Sequence, residues 1–283
     1  MDDHPFTLFS TLPKLSVWRA ATDNDHVDGN SRLWDAAGFR KLSSSLVSSQ
    51  LEQSSHSIIF IEEEQWFTVG HRYVFTTHSS YQLFGCSIVH FSSLIRFPML
   101  SEVELISFKL PRIGYHWKLP THFSLVRWYG RGPYDNYIDR LHGADVGIYS
   151  ALVDELYHPY IFPQAHGNHC DVRWVSMRDP SSRCGLLFYV PLSSARWFQF
   201  TASKYSDRRL AQASHTHQLI ESTSIHLHID LFHSGVGNGS CGPGILPHYS
   251  LSNSSSSSHP FDVYFTPLLP DDDETVLAKL IPN

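Results

Sequence analysis

The sequence has few charged residues and no long apolar run. Asp, Glu, Lys and Arg make up 17% of its 283 residues, and the formal net charge is −6. No stretch approaches the ~20 apolar residues of a transmembrane helix, so no membrane contact is expected. No basic stripe with interleaved aromatic residues occurs, which argues against nucleic acid as a partner. Because residues 1–10 lack a basic segment followed by an apolar one, no secretory signal is predicted and a cytoplasmic location is expected.

Cysteine is scarce, and its four positions are too far apart for a metal or redox motif. They are Cys86, Cys170, Cys184 and Cys241. Zinc sites and redox motifs usually bring two cysteines within a few residues, so the spacing favours free thiols in a reducing compartment. No phosphate-binding loop, nucleophile elbow or HExxH motif is present. We therefore predict no metal site in this chain.

A pair of catalytic carboxylates is also missing. Glycoside hydrolysis usually takes two carboxylates that face each other across the scissile bond. Residues 62–64 are three consecutive glutamates, and strand alternation would send neighbours to opposite faces. Asp154 and Glu155 lie in a turn-like segment, and the acidic run at residues 270–274 is typical of a solvated turn. No catalytic residue is predicted.

Runs of β-branched and aromatic residues, separated by turn residues, dominate the sequence. Examples are "CDVRWVSMRD", "CGLLFYVPL", "SIHLHIDLF" and "FDVYFTPLL". Such recurrence is typical of a large antiparallel sandwich or barrel. No internal boundary is visible, so residues 1–283 are interpreted as a single all-β domain. Helices are predicted only for "SRLWDAAGF" and for one or two turns of "DRRLAQASHTHQLI".

Two serine-rich tracts interrupt this pattern, near residues 43–57 and 250–259. Small polar side chains bury too little surface to offset their ordering entropy. We predict that both tracts are surface insertions.

Histidine is abundant, with 19 residues, and two pairs stand two residues apart. These are His215 with His217, and His226 with His228. On strands, each pair would point to one face. A metal site would need further ligands that the spacing does not supply, so packed or exposed imidazoles are the preferred interpretation.

Glycine is concentrated in one loop, "GVGNGSCGPG" at residues 235–244, which follows a strand-like segment. An ordered glycine loses more conformational entropy than any other residue, so the loop requires a tight turn or a close backbone approach. Three other segments combine aromatic, charged and amide side chains: "WRAATDNDHVDG", "YGRGPYDNYIDR" and "YHPYIFPQAHGNHCDVRW". Long loops of this kind are often functional, although hydrogen-bond networks that anchor loops have the same composition.

Together these segments resemble the C-terminal small-chain domain of the bacterial-type β-galactosidases of glycoside hydrolase family 2. The similar motifs are "VWRAATDND", "PRIG", "WYGRGPYDNYIDR", "PYIFPQAHGNHCDVRW", "FTASKYS", "HLHIDLFHSGVGNGSCGPG" and "FDVYFTPLL", in family order over about residues 17–267. The resemblance implies a large antiparallel super-sandwich like that of galactose mutarotase.

The resemblance also implies that two chains contribute different parts of one active site. In that family the catalytic glutamates and the residues that hold magnesium and sodium lie outside this domain. No cofactor is therefore expected here, and the implied role is to complete the galactoside site of a large chain that hydrolyses terminal β-galactosides such as lactose. The alternatives are a free-standing carbohydrate-binding module, an inactive fragment or, less favoured, a mutarotase-like epimerase with His166 or His169 as the acid.

The resemblance assigns the glycine-rich loop to the sugar site. The implied substrate-binding residues are Gly235, Gly237, Asn238, Ser240, Cys241 and Gly242. Many members carry tryptophan where Cys241 stands; a thiol cannot stack on a sugar ring as an indole does, so the loop is expected to contribute shape and backbone groups. Residues expected to face the sugar or to hold the loops are Asp23, Asn24, Asp25, His166, Asn168, Asp171 and Arg173. The chain departs from the family at Ala21, usually proline, and at Ala165 and His169, usually a glutamate and a basic residue.

Overall fold

Antiparallel strands make up most of the regular structure in this computed structural model, which describes residues 9, 11–68, 73–97, 109–192, 194, 196–252 and 258–280. The strands are β1 Thr11–Ser16, β2 Ser43–Gln53, β3 Ser57–Phe67, β4 Tyr73–Phe84, β5 Val89–Arg96, β6 Lys109–Leu110, β7 Arg112–Leu119, β8 Leu125–Gly132, β9 Asp145–Leu152, β10 His169–Val172, β11 Trp174–Arg178, β12 Gly185–Tyr189, β13 Phe198–Ser203, β14 Ile225–His233, β15 Leu251–Ser252 and β16 Ser258–Leu268. The helices are α1 Asp23–Val27, α2 Asn30–Ala37, α3 Asp207–Gln212 and α4 Glu274–Leu277.

Two large sheets face each other. One has five strands in the order β1-β7-β14-β13-β10, and the other has nine in the order β2-β3-β4-β5-β16-β12-β11-β8-β9. The strand pairs of both sheets are antiparallel. The prediction of a large all-β antiparallel sandwich is confirmed.

The core lies between the sheets because alternate side chains of each strand point inward. In β8 every second residue is buried. The ring centroid of Trp117 in β7 lies 5.0 Å from that of Phe188 in β12 and 5.3 Å from that of Phe265 in β16. Each such ring removes roughly 150–250 Å² from water. This aromatic layer holds the five-stranded sheet, and the loops that leave it, in a fixed position.

Both predicted helices are present, and a third begins at a polar motif. "SRLWDAAGF" forms most of α2, and "DRRLAQASHTHQLI" forms α3 and a 3₁₀ turn at Thr216–Gln218. The unpredicted α1 follows Thr22, whose hydroxyl accepts from the Asp25 amide at 3.2 Å, while the Asp25 carboxylate accepts from the Thr22 amide at 2.9 Å. This reciprocal capping box explains why α1 starts there. No helix in the described part of the chain is long and apolar enough to cross a membrane.

Most of the first serine-rich tract, Ser43–Gln53, forms the edge strand β2 of the nine-stranded sheet. All eleven residues of β2 are exposed, and the strand pairs with β3 along its length. The tract therefore lies at the surface as a regular strand, because backbone hydrogen bonds order it without burial of its side chains. Of the second tract, residues 253–257 lie outside the described residues.

The acidic run at residues 270–274 is not wholly solvated, and the prediction of a solvated turn was wrong for its last member. Glu274 is 1% exposed. Its carboxylate accepts from Arg178 and Arg127, each at 2.7 Å, and from the Ser176 hydroxyl at 3.0 Å. Burial acts to raise the pKa of Glu274, but the Arg178 hydrogen bond and both guanidinium charges leave it lowered. The ion pairs join α4 to β8 and β11, and Leu277 of α4 packs on an apolar cluster that includes Trp174 and Tyr189.

Candidate functional site

A buried ion pair holds the start of the glycine-rich loop. Arg19 and Asp25 are both 0% exposed, and two guanidinium N–H groups donate to the carboxylate at 2.9 and 3.2 Å. The same guanidinium donates to the carbonyl groups of Ser234 at 3.0 Å and Gly235 at 3.1 Å. Bidentate hydrogen bonds between a guanidinium and a carboxylate are among the strongest in proteins. Arg19 thus joins the segment after β1 to the loop after β14.

A second carboxylate holds the next two residues of the loop. Asp139 accepts from the amide of Val236 at 3.1 Å and from that of Gly237 at 2.8 Å. A Cβ atom at Gly235 would lie 2.6 Å from the Asp139 carboxyl carbon. Gly237 has a φ of +61°, and a Cβ atom there would lie 2.9 Å from the Ile245 nitrogen. Glycine is required at both positions, for close approach and for the left-handed conformation.

Two side chains from other segments position the tip of the loop. The Asn24 amide nitrogen donates to the Gly237 carbonyl at 2.8 Å, and the Asn24 side-chain oxygen accepts from the Ser240 amide at 2.9 Å. Arg140 donates to the same Gly237 carbonyl and, at 3.0 Å, to the side-chain oxygen of Asn238. The tip is therefore tied to α1 and to the loop between β8 and β9.

The tip itself is a closed turn that presents small groups to the outside. The amides of Cys241 and Gly242 donate to the Asn238 carbonyl at 2.9 and 2.7 Å. Asn238, Ser240, Cys241 and Gly242 are all exposed. A fixed backbone with an exposed thiol, hydroxyl and amide can offer hydrogen-bonding groups to a ligand or to another chain.

A polar cavity of about 250 Å³ lies beside this loop. Its lining combines carboxylate, amide, hydroxyl and guanidinium groups: Thr22, Asp23, Asn24, Asp135, Tyr137, Arg140, Tyr160, Gln164, Ala165, Val236 and Ser240. Buried Gln164 accepts from the Asp23 amide at 3.1 Å. Exposed Tyr134 and Ile161, at 76% and 86%, lie on the two loops that also supply cavity residues. The arrangement suits a hydroxyl-rich ligand, because paired donors and acceptors surround the space.

The structure brings part of the expected site together. Asp23, Asn24 and Ser240 line the cavity. Gly235 and Gly237 form the buried stem of the loop, and the exposed tip carries the other loop residues. Of the residues with two possible roles, Asp25 is structural, since its carboxylate is used by Arg19 and Thr22.

His166 and Asn168 hold buried backbone rather than face the cavity beside the loop. Asn168 donates to the Gln199 side-chain oxygen at 2.9 Å and shares a 2.8 Å hydrogen bond with Nδ1 of His233. His166 Nδ1 lies 2.9 Å from the Gln164 carbonyl, which fixes the ring. Burial lowers the pKa of His166. His166 therefore supports the backbone at Gln164, and Asn168 holds the Asn136 carbonyl at 2.8 Å.

Asp171 and Arg173 form a separate structural group, and neither lines the cavity. Asp171 accepts from Arg131 Nε at 2.5 Å. The Arg173 guanidinium lies 3.4 Å from the ring centroid of Trp197 and 5.1 Å from that of Tyr129. Of the two roles that the sequence left open for these residues, the contacts favour the structural one.

His169 is packed where the family usually has a basic residue. Its ring stacks on Phe200 with centroids 4.9 Å apart and meets Trp128 edge-on at 4.6 Å. Burial lowers the pKa of His169 to about 4. A neutral imidazole suits this buried position, because burial disfavours the charged form. The position offers no open face from which His169 could protonate a sugar.

Five residues that hold or line the site were not predicted individually from the sequence: Arg19, Asp135, Asp139, Arg140 and Gln164. Each lies within one of the three polar segments of the sequence analysis. The sequence therefore located the segments but not the individual residues. Hydrogen bonds to a loop about 100 to 200 positions away, such as Asp139 to Gly237, leave no local pattern.

The comparison with protein families identifies the family of this chain. A family model described as "Beta galactosidase small chain" matches residues 4–264. The chain belongs to the β-galactosidase small-chain family. The chain is 33% identical over 250 residues to a β-galactosidase of Vibrio cholerae, a match that covers 84% of this chain and 22% of that protein. It is 28% identical over 250 residues to one of Psychromonas ingrahamii, covering 85% and 22%.

The chain therefore spans less than a quarter of the length of these relatives. A β-galactosidase of Pseudoalteromonas haloplanktis is 40% identical over 144 residues, covering 50% of this chain and 13% of that protein. Among solved structures, a galactose mutarotase related enzyme from Lactobacillus acidophilus aligns with a TM-score of 0.37 and 11% identity, covering 80% of this chain and 73% of that one. Among the described residues, no group of three or more His, Cys, Asp or Glu side chains is placed to hold a metal ion.

Proposed function

We propose that this small chain completes the galactoside-binding site of a catalytic β-galactosidase chain. Family membership and the β-galactosidase relatives support the general role. The observation that carries the proposal is the exposed tip at residues 238–243, which is held rigidly beside a polar cavity by Asn24, Arg140 and Asp139. A loop fixed before its partner arrives loses little entropy on binding.

In the proposed complex the large chain supplies the chemistry. Retaining hydrolysis of a β-galactoside uses one carboxylate as nucleophile and another as acid and base. We assign both carboxylates, and any magnesium and sodium, to the large chain. The tip then contributes the Ser240 hydroxyl, the Cys241 thiol and backbone groups to one wall of the sugar pocket. We propose lactose as a natural substrate of the complex.

The test is complementation of hydrolysis. A chromogenic β-galactoside is offered to the small chain, to a large chain from a split enzyme, and to their mixture. We expect activity in the mixture only. Activity of the small chain alone would contradict the proposal, because it would require a catalytic pair within this chain.

Variants of the tip then test the sugar contact. Loss of one hydrogen bond is worth ~0.5–1.5 kcal/mol, so we expect Ser240→Ala and Cys241→Ala to raise KM about two- to tenfold. Cys86→Ala is the matched control, since Cys86 is also an exposed free thiol but lies on the turn between β4 and β5. Equal KM values for all three variants would place the sugar elsewhere.

A free-standing carbohydrate-binding module is the second candidate. The cavity of about 250 Å³ favours it, because the residues of this chain enclose the space without a partner. Calorimetric titration of the isolated chain with galactose distinguishes the two. Saturable binding that Gln164→Ala abolishes would support the module, whereas binding only in the presence of the large chain supports complementation.

A further inference from the structure

A second cavity, of about 230 Å³, opens on the outer face of the five-stranded sheet. Its floor is formed by β1, β7 and β14, and its walls by the start of α3, the segment after α2 and Trp66 of β3. It shares no lining residue with the cavity beside the glycine-rich loop, as far as the described residues go. We call it the histidine cleft, because His116, His226 and His228 line it.

The three imidazoles form one stacked group. Their positions follow from the antiparallel register, in which His228 of β14 lies opposite His116 of β7. The ring centroid of His116 lies 5.0 Å from that of His226 and 4.6 Å from that of His228. His116 Nε2 lies 2.8 Å from His226 Nδ1, and His226 Nε2 lies 2.9 Å from the Ser222 hydroxyl. The chain of contacts fixes the rings.

One ring nitrogen of the three imidazoles has no hydrogen-bond partner among the described residues. The two nitrogens of His228 contact the Ser16 hydroxyl and the Asp207 carboxylate, each at 3.3 Å. Both nitrogens of His226 are used, but His116 Nδ1 has no hydrogen-bond partner among the described residues. His116 is partly exposed at the cleft. Its Nδ1 atom is therefore available to a ligand.

The charges around the cleft are mostly positive, in a chain whose net charge is −6. Lys14, Arg40 and Arg208 line it, and none of them pairs with a carboxylate of the described residues. The carboxylate in the lining, Asp207, lies 3.2 Å from the buried Arg112 guanidinium, which balances its charge. An unbalanced set of cations around a concave space attracts and concentrates anions.

The potential at the imidazoles agrees with this geometry. Burial is the first cause that lowers the pKa of His116, to about 3, and the neighbouring charges that lower it further are all basic groups. A negatively charged ligand would reverse this effect, because an opposite charge nearby favours the protonated imidazole.

We propose that the histidine cleft binds a small oxyanion, a phosphate or a phosphorylated sugar, through Lys14, Arg40, Arg208 and His116 Nδ1. The size fits a small ligand, since 230 Å³ lies below the roughly 300–1,000 Å³ of pockets for drug-sized molecules. Trp18 and Trp66 supply apolar wall beside the cations, which suits a sugar ring attached to the anionic group. The site is independent of the galactoside proposal.

The test is an NMR titration that monitors the histidine ring resonances in a phosphate-free buffer. Inorganic phosphate, galactose 6-phosphate and galactose are added separately to the full chain. We expect phosphate or galactose 6-phosphate to shift the His116 ring resonances, and galactose to leave them unchanged. Tighter binding of galactose 6-phosphate identifies a phosphorylated sugar as the ligand, and equal binding identifies the free anion.

A charge-removal variant completes the test. Both Lys14 and Arg208 are exposed, so the double variant Lys14→Gln/Arg208→Gln preserves the fold. Loss of two charges near the anion is expected to raise the phosphate Kd about tenfold or more. Arg183→Gln, in the turn between β11 and β12, is the control and leaves Kd unchanged. Equal affinity of the double variant, or no shift with either anion, would overturn the proposal.

Discussion

Arg19 and Asp25 form an ion pair in which neither side chain is exposed, and the Arg19 guanidinium also binds two carbonyl groups of the glycine-rich loop. The Asp25 carboxylate in turn caps α1 through Thr22. Two neighbouring segments, α1 and the loop, are therefore joined by one pair of charges. The position of Asn24, which holds the loop tip, depends on the same helix.

Removal of the Asp25 charge should destabilise the protein strongly. Asp25→Asn leaves the Arg19 cation buried without a partner, and loss of one member of a buried pair costs about 3–5 kcal/mol. Urea denaturation of the two proteins measures the change in the free energy of unfolding. Asp23→Asn is the control, because Asp23 is exposed in the same helix. A loss below 1 kcal/mol for Asp25→Asn would show that Arg19 does not need this partner.

Two glycines of the loop should respond differently to a methyl group. Gly237→Ala places a Cβ atom 2.9 Å from the Ile245 nitrogen at a φ of +61°, and strain of this kind costs about 1–3 kcal/mol. At Gly242 the nearest atom to a new Cβ is the Asn238 Cβ at 3.4 Å, so Gly242→Ala should change stability by less than about 0.5 kcal/mol. Thermal unfolding of both variants checks the contrast. Similar losses would mean that close approach does not explain the glycines.

The buried histidines should make the protein acid-labile. Burial lowers the pKa of His169 to about 4 in the folded protein, below the value of about 6.5 in an unfolded chain. Below pH 6.5 the unfolded state therefore binds a proton that the folded state does not. Stability present above this pH is lost as the pH falls towards 4, by up to about 1.4 kcal/mol per pH unit for one such histidine.

Urea denaturation at pH 7, 6 and 5 tests the contribution of His169. His169→Phe keeps an aromatic ring against Phe200 and removes the titrating group, so the fall in stability with acid should become shallower. His56→Phe, at an exposed position between β2 and β3, should leave it unchanged. A pH dependence identical to that of the parent protein in His169→Phe would show that His169 takes up a proton in the folded state.

Glu274 should be necessary for the attachment of α4. Glu274→Gln removes the charge that two guanidinium groups share at 2.7 Å, with an expected loss of about 3 kcal/mol or more. Asp271→Asn is the control, because Asp271 is 98% exposed and lies 3.6 Å from Arg183, and such surface pairs contribute about 0–1 kcal/mol. Chemical denaturation followed by tryptophan fluorescence compares the two. Equal losses would argue against a buried charge network.

The sequence predicted the class of fold because strand patterns are local. Alternation along "LVRWYGRG" and the apolar run "GLLFY" indicate a half-buried strand and a fully buried one, as β8 and β12 are. The helix over "SRLWDAAGF" was also predicted because its pattern is local in the sequence. Composition alone indicated that the glycine-rich loop makes a tight turn or a close backbone approach, and the motifs identified the family.

The tertiary structure decided which polar residues form the site and which only support it. Asp25 and Asn168 resemble candidate sugar ligands in the sequence, yet both are buried, and their side chains bind the Thr22 amide and the Asn136 carbonyl respectively. Asp139 and Arg140 reach the loop across about 97 positions. Likewise, the pairing of β7 with β14 makes one cleft of His116 and His228, 112 positions apart, whereas the sequence indicated only that His226 and His228 share a face. Long-range pairing depends on strand order and register, which local patterns of residues do not determine.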